Sequence, residues 1–338
     1  MKRPHSVLTV LFATILAVIS GLSLVSCGGN ANAVKVNPDK ETYVVGICQL
    51  VQHPALDAAT QGFKDALTDE LQKVGRKVEF REGNAQGDSN TCSTIVNSFV
   101  SADVDLIMAN ATAALQAAYN ATQTIPILGT SVTEYGVALS IPDFNGTVGG
   151  NVSGTADLAP LEEQAQMMLD LLPNLTAGAK IGILYCSAEP NSSYQADVVR
   201  TFLTGKGITC RIYIFSDSND IAQVTERASG ESDAIYVPTD NTVASNTAVI
   251  DNICRAKKVP VFAGEEGICS GCGFATLSIS YYNIGKKTGE MAAKVLLGKE
   301  SISSMPIAYD EAPVKKYNEE ICRDLGISVP EDYQKIGG

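Results

Sequence analysis

From residue 42 onward, short apolar runs alternate with longer segments in which apolar residues recur at helical spacing. The first run, TYVVGICQL, predicts a strand, and Leu56, Ala59 and Phe63 fall on one face of a predicted helix that begins at Pro54. Runs such as DLIM are apolar at every position but the first, which is typical of parallel strands covered on both faces. The pattern therefore predicts an α/β fold.

Two series of strands and helices are separated by one irregular stretch. The first series has strands at 42–50, 77–86, 105–112 and 126–132 and helices at 54–74, 88–103 and 113–123. The second has strands at 180–186, 208–215, 233–239, 259–264 and 273–280 and helices at 161–173, 191–207, 220–228, 241–258 and 281–299. Residues 134–157 contain five glycines and show little periodicity, so we interpret them as a connection between two lobes.

Residues 1–26 have the layout of an export signal, with two basic residues ahead of an uncharged, mostly apolar run at 6–26. The run is barely long enough for the alternative, a transmembrane anchor. It ends in LVSCGG, which resembles a bacterial lipoprotein signal and would make Cys27 the lipidated first residue of the mature protein. We then expect residues 27–41 to form a flexible tether, and the protein to be extracytoplasmic and held at the bacterial cell membrane without spanning it.

The charge balance argues against one class of partner. Without residues 1–26, the chain keeps 23 basic and 37 acidic residues, a formal charge of −14. An acidic surface repels phosphate backbones, so we expect no nucleic-acid partner.

Eight cysteines follow Cys27, and most lie within apolar runs. We interpret these as small buried residues and not as disulfide partners. Cys269 and Cys272 form a CSGC sequence in a stretch that we interpret as a glycine-rich loop. A redox pair is the alternative, but neither a second CxxC nor a histidine accompanies them.

Catalytic motifs are missing from the sequence. It has no Walker A motif, no dinucleotide fingerprint and no nucleophile elbow. A triad or a histidine-rich zinc site would need His53, the only histidine after the signal, and Asp57 is the only acid near it in sequence. We therefore expect no enzyme, no metal and no cofactor.

Polar residues collect at the predicted carboxyl ends of strands, where open parallel sheets bind ligands. Helix N-capping is the alternative role for many of them. The candidates are Gln49, His53, Asn84, Asn110, Thr112, Thr130, Ser131, Asn191, Ser192, Ser193, Asp240, Asn241 and Glu265.

Several motifs occur in an order that is typical of one family. These are VGICQLVQHPALDAATQGF, GGNVSGTAD, ILYCSAEPNSS, YVPTDN and YYNIGKKTGEMAAKVLLGK. With the lipoprotein signal, they resemble the tryptophan/tyrosine-type substrate-binding lipoproteins of ATP-binding cassette importers, which have the periplasmic-binding-protein type I fold. The resemblance spans residues 42–307.

The resemblance implies two Rossmann-like lobes joined by a three-segment hinge that closes over a ligand in the cleft. It implies an N-terminal lobe of residues 42–147 plus 280–302 and a C-terminal lobe of residues 148–279 plus 303–338. It further implies a monomer that serves an ABC permease and its ATPase subunits.

The implied ligand is an amino acid, and an aromatic amino acid is one possibility. Its carboxylate would bind the N–H groups of Ala111 and Thr112 and the hydroxyls of Thr130 and Ser131. Its amine would bind Asp240 or, as second choice, Glu265. The residues considered for its side chain are Leu50, Tyr135, Tyr185 and Tyr281. A sugar or nucleoside ligand, and a ligand-sensing receptor of the same fold, are the alternatives.

Overall fold

The structure is a computed structural model that describes residues 34–310 and 312–337. Cys27, residues 1–26 and the first part of the expected tether lie outside the described residues. Within the described ranges, the chain forms two mainly parallel sheets with helices between the strands. The predicted α/β class is confirmed.

The strands are β1 (Thr42–Gln49), β2 (Lys77–Asn84), β3 (Leu106–Asn110), β4 (Ile127–Val132), β5 (Val152–Ala156), β6 (Lys180–Cys186), β7 (Thr209–Phe215), β8 (Ala234–Val237), β9 (Val261–Ala263), β10 (Ala275–Ser278), β11 (Ala308–Tyr309), β12 (Val314–Tyr317) and β13 (Gln334–Lys335). The helices are α1 (Pro54–Gln72), α2 (Ser89–Ser101), α3 (Thr112–Ala121), α4 (Tyr135–Ala138), α5 (Leu161–Leu171), α6 (Pro190–Gly205), α7 (Ile221–Glu231), α8 (Asn241–Ala244), α9 (Thr247–Ala256), α10 (Glu266–Cys272), α11 (Tyr281–Leu296) and α12 (Glu319–Leu325).

Each sheet is the centre of one lobe. The first lobe has the strand order β11-β5-β4-β3-β1-β2, and all of its neighbouring pairs are parallel. The second lobe has the order β13-β12-β10-β9-β8-β6-β7, in which only the β10–β12 pair is antiparallel. The chain passes between the sheets three times, after β5, after β10 and after β11.

Strand β5 is the main difference from the sequence-based elements. Residues 148–156 were assigned to the second lobe and residues 134–157 to a connection, but β5 pairs with β4 and β11 in the first sheet. The strand has no apolar pattern in the sequence, because its side chains are polar. Their buried hydroxyls form hydrogen bonds with one another. Thr155 Oγ1 lies 3.1 Å from Thr130 Oγ1 and 2.8 Å from Thr288 Oγ1. Likewise, β11 places residues 308–309 in the first sheet.

Two other sequence-based elements differ. The predicted helix at 241–258 is divided into α8 and α9. The stretch around Cys269 and Cys272, interpreted as a loop, is helix α10, and both thiols are buried. The described cysteines, from Cys48 to Cys322, are free, and all of them but Cys210 are buried.

Helices α1 and α11 pack backbone against backbone and so fix the start of α11 beside the cleft. A Cβ atom on Gly285 would lie 2.0 Å from the carbonyl oxygen of Ala59, and one on Gly62 would lie 2.2 Å from the carbonyl oxygen of Tyr282. Only glycine permits such an approach. This packing holds Tyr281, the first residue of α11, at the crossing between the lobes.

Candidate functional site

A small cavity lies between the two lobes, and we call it the interlobe cavity. It encloses about 270 Å³ when the open solvent at its mouth is counted. It lies at the carboxyl ends of strands, as expected for open parallel sheets. Its lining residues are His53, Leu56, Ser131, Asp157, Asn191, Thr239, Asp240, Asn241, Ala244, Glu265 and Tyr281. Three of them carry carboxyl groups and none is lysine or arginine.

His53 contributes an unpaired acceptor to the interlobe cavity. Its Nε2 lies 3.1 Å from Oδ1 of Asn241 across the cleft, and its Nδ1 is buried without a partner among the described residues. The Asn241 amide nitrogen donates to Glu189 Oε2 at 2.7 Å, which fixes the amide oxygen toward His53. Burial lowers the pKa of His53 and so favours the neutral ring. Nε2 therefore carries the proton, and Nδ1 is left as an acceptor.

His53 is placed by the start of α1. It is the N-cap residue in an extended conformation, with Pro54 in the first helical turn. Its side chain makes no capping bond to the helix, so the imidazole is available to the cavity.

Ser131 combines a strained backbone with an unpaired hydroxyl. It lies near the end of β4 with φ of 54°, in the left-handed region that costs a non-glycine residue about 1 kcal/mol. The β4–β5 register shifts between Gly129 and Val132, and this irregularity turns Ser131 out of the ladder. Its Oγ is buried and has no partner among the described residues. Such strain is characteristic of functional positions.

Asp157 follows β5 at the first crossing and is buried. Its Oδ1 accepts a hydrogen bond from Thr133 Oγ1 at 2.9 Å, and its Oδ2 accepts one from the Tyr281 hydroxyl at 2.8 Å. Burial raises the pKa of Asp157. Each carboxyl oxygen receives one neutral donor and keeps a lone pair for another.

Glu265 presents a second carboxyl from the other lobe. It is the N-cap of α10, where its oxygens accept from the backbone N–H groups of Gly267, at 2.6 Å, and Ile268. Burial raises its pKa to about 7. Neither Asp157 nor Glu265 has a basic partner among the cavity residues.

Asp240 lines the cavity, and its two oxygens already accept three hydrogen bonds. They accept from the backbone N–H groups of Cys186 and Val243 and from Ser192 Oγ, all at 2.8 Å. Burial, reinforced by the nearby Glu189 carboxylate, raises the pKa of Asp240, while these three donors oppose the rise. Asp240 thus caps α8 and joins it to β6 and α6.

Six of the sequence-based candidates line the interlobe cavity: His53, Ser131, Asn191, Asp240, Asn241 and Glu265. Asn191 donates from Nδ2 to Thr239 O at 3.1 Å. Ser192 does not line the cavity, and its Oγ donates a hydrogen bond to Asp240 Oδ2. Ser193 donates to the hydroxyl of Tyr185 at 3.4 Å and does not line the cavity.

Most of the candidates in the first lobe form hydrogen bonds within that lobe. Gln49 donates to Val51 O and to Asp57 Oδ1, and its Oε1 accepts from Thr60. Asn84 makes a local turn by accepting from the N–H of Gln86 at 2.9 Å.

The strand ends at β3 and β4 differ from the expected carboxylate site. The N–H of Ala111 donates to Thr130 O at 3.0 Å, and Thr130 Oγ1 belongs to the buried hydroxyl cluster. Thr112 begins α3, where first-turn N–H groups lack helical acceptors. Asn110 donates to Leu56 O at 2.8 Å, and its buried Oδ1 has no partner among the described residues.

Asp157 is the cavity carboxyl that the sequence analysis did not select. It ends the GGNVSGTAD motif, but the stretch was interpreted as a connection, so the end of a strand was not recognised there. Of the four residues considered for a ligand side chain, Tyr281 lines the cavity, whereas Leu50, Tyr135 and Tyr185 do not.

Comparison with known proteins assigns the chain to a family. The model of the family described as ABC transporter substrate binding protein matches residues 44–336. The chain belongs to this family. Its members are binding proteins and not enzymes, and substrate-binding proteins of ABC transporters are extracytoplasmic. Among the helices within 34–310 and 312–337, none has both the length and the apolar character needed to cross a membrane.

Relatives with known ligands cover nearly the whole chain. A tyrosine-binding protein of Clostridioides difficile is 35% identical over 99% of this chain and 95% of its own length. An ABC domain from Streptococcus pneumoniae, solved in complex with L-Trp, is 30% identical with a TM-score of 0.79, over 86% of this chain and 96% of its own.

A third relative is a ligand-free, open structure of a substrate-binding protein with adhesive properties from Clostridium difficile. It is 36% identical, with a TM-score of 0.64 over 87% of this chain and 99% of its own. More distant sugar-binding proteins share the fold alone, and the fold is that of type I periplasmic binding proteins.

Proposed function

We propose that this protein captures an amino acid with an aromatic side chain in the interlobe cavity and delivers it to an ABC importer. The observation that carries the proposal is a set of acceptors facing one cavity without a basic partner in its lining: Asp157, Glu265 and Nδ1 of His53. The tyrosine-binding and L-Trp-bound relatives support the ligand class.

The acceptor set fits an ammonium group. An ammonium has three N–H donors and no acceptor, so two carboxylates and a neutral imidazole nitrogen can satisfy it completely. Charge-assisted hydrogen bonds in a buried site are the strong ones. We therefore assign the amine to Asp157 and Glu265, in preference to Asp240, whose oxygens already accept three hydrogen bonds.

The carboxylate of the ligand would lie on the first-lobe side. Ser131 Oγ is buried and free to donate. The second lobe adds the first turn of α6, where the backbone N–H of Asn191 lacks a helical acceptor.

Closure of the cleft is part of the proposal. Contacts already join the lobes across the cavity, from His53 to Asn241 and from Gln195 Nε2 to Thr133 Oγ1 at 3.4 Å. The chain is closer in TM-score to the L-Trp complex than to the ligand-free open relative, although it is less identical in sequence to the former. Both observations support a hinge at the three crossings.

We also propose that Cys27 carries a lipid anchor and that the protein works as a monomer beside a permease and its ATPase subunits. The LVSCGG sequence supports the anchor. Replacement of Cys27 by serine should release the protein from the membrane fraction into the soluble fraction. Retention of the C27S protein in the membrane would contradict the anchor without affecting the ligand proposal.

Calorimetry of the purified protein against the twenty amino acids, a set of sugars and a set of nucleosides tests the ligand class. We expect heat from L-tyrosine or L-tryptophan and none from sugars. Binding of a sugar or a nucleoside alone would overturn the proposal.

A further inference from the structure

A second, larger depression opens beside the interlobe cavity. It encloses about 1280 Å³, counting the open solvent at its mouth, and we call it the side groove. Its walls come from the start of α1, from α8 and α10, from the crossing before α11 and from β12. Both lobes therefore contribute to it.

The side groove and the interlobe cavity share their dividing wall. Ala244, Glu265 and Tyr281 line both spaces. Glu265 is one of the two carboxyls assigned to the amine, and the Tyr281 hydroxyl donates to the other, Asp157. A group bonded to both carboxyls would thus lie against the wall that the two spaces share.

Several residues that line the side groove near the shared wall are apolar or aromatic. Ala55 and Ala58 face it from the first lobe, Ala244 from the second, and Ile279 and Tyr281 from the crossing segment. Small side chains on opposite walls leave a slot, and an aromatic ring on one side offers a stacking surface. Most of the residues that line the interlobe cavity are polar instead.

We propose that the side groove receives the aromatic side chain of the bound amino acid, and that Ala58 and Ala244 set the size of the side chain that fits. This inference rests on the proposed function. In it, the polar head of the ligand occupies the interlobe cavity, and the ring passes between the two alanines beside Tyr281.

Filling the slot tests the proposal. Ala58→Leu and Ala244→Leu narrow it from opposite walls, and Ala188→Leu is the matched control, because Ala188 is exposed and lines a different groove. L-Tyrosine, L-tryptophan and L-alanine are titrated into wild type and each variant by calorimetry, and thermal unfolding checks that each variant folds.

We expect A58L and A244L each to weaken aromatic binding by roughly 10-fold or more, the scale of overpacking at a filled site, with A188L unchanged. Wild-type affinity for L-tyrosine in both slot variants would overturn the side-groove assignment and leave the amino-acid proposal standing. Tighter wild-type binding of L-alanine than of either aromatic amino acid would overturn the side-groove assignment and the aromatic part of the proposed function, and would leave only the binding of an amino acid standing. No binding of any amino acid by wild type would overturn both.

Discussion

Nε2 of His53 in the first lobe lies 3.1 Å from the amide oxygen of Asn241 in the second, and Glu189 fixes the orientation of that amide. This contact both joins the lobes and places the proton of the imidazole on Nε2, so that Nδ1 is left as an unpaired acceptor. We therefore propose that His53 binds the ligand and helps to close the cleft, in a family whose members are binding proteins and not enzymes.

Replacement of His53 by alanine should weaken amino-acid binding by about 1 kcal/mol, or about fivefold, because one interlobe hydrogen bond and one ligand acceptor are lost. Calorimetry measures the affinity, and small-angle scattering should show a larger radius of gyration for the ligand-free variant. Asn84→Ala is the control, since Asn84 bonds only within its own turn. Equal affinity and equal radius for H53A and wild type would contradict the role.

Replacement of Asp157 by asparagine should weaken binding by about 1.5 to 3 kcal/mol, since a charge-assisted bond to the ammonium becomes a neutral one. Tyr281→Phe keeps the ring and removes only the donor to Asp157, so it should cost less. Asp240→Asn, measured in parallel, should act mainly on thermal stability through its cap on α8. A larger loss of affinity in D240N than in D157N would restore Asp240 as the amine partner.

Binding should weaken as pH falls below about 7. Burial raises the pKa of Glu265 to about 7, so in the free protein this carboxyl takes up a proton at lower pH, and the ammonium must displace it. The dissociation constant should rise by up to about tenfold per pH unit below that value. Glu265→Gln should bind more weakly at pH 8 and flatten the profile. A wild-type affinity that is constant from pH 8 to pH 5 would contradict the assignment.

Gly285→Ala should destabilise the first lobe by roughly 1 to 3 kcal/mol, because the new Cβ would meet the backbone of α1 at 2.0 Å. Urea unfolding measures the change. Gly205→Ala provides the matched control, since a Cβ there meets nothing within 4 Å, and it should stabilise α6 by about 0.5 to 1 kcal/mol. Equal stability of G285A and wild type would contradict the close packing of α1 on α11.

The sequence predicted the fold where periodicity was strong. Strands such as β1 and β3 are apolar and buried along most of their length, and the helix at α1 has a clear apolar face. Strand β5 was missed because Ser153, Gly154 and Thr155 carry no apolar signal. Their polarity is satisfied by tertiary partners, with Ser153 Oγ donating to Met305 O at 2.9 Å, and these partners are distant in sequence.

Only part of the candidate site could be predicted from the sequence, because the rest also depends on tertiary contacts. Of the residues predicted at strand ends, His53, Ser131 and Glu265 line the interlobe cavity. Which oxygens remain free depends on contacts that one sequence does not reveal. The carboxyl oxygens of Asp240 accept hydrogen bonds from the N–H groups of Cys186 and Val243, whereas those of Asp157 accept from the hydroxyls of Thr133 and Tyr281.

A crystal structure of the protein grown with L-tyrosine tests the central claim most directly. The account predicts an ammonium within hydrogen-bonding distance of Asp157 and Glu265, with both lobes in contact with the ligand. Density for the ammonium and carboxylate of the ligand outside the interlobe cavity, or an amine bonded to neither carboxyl, would contradict it.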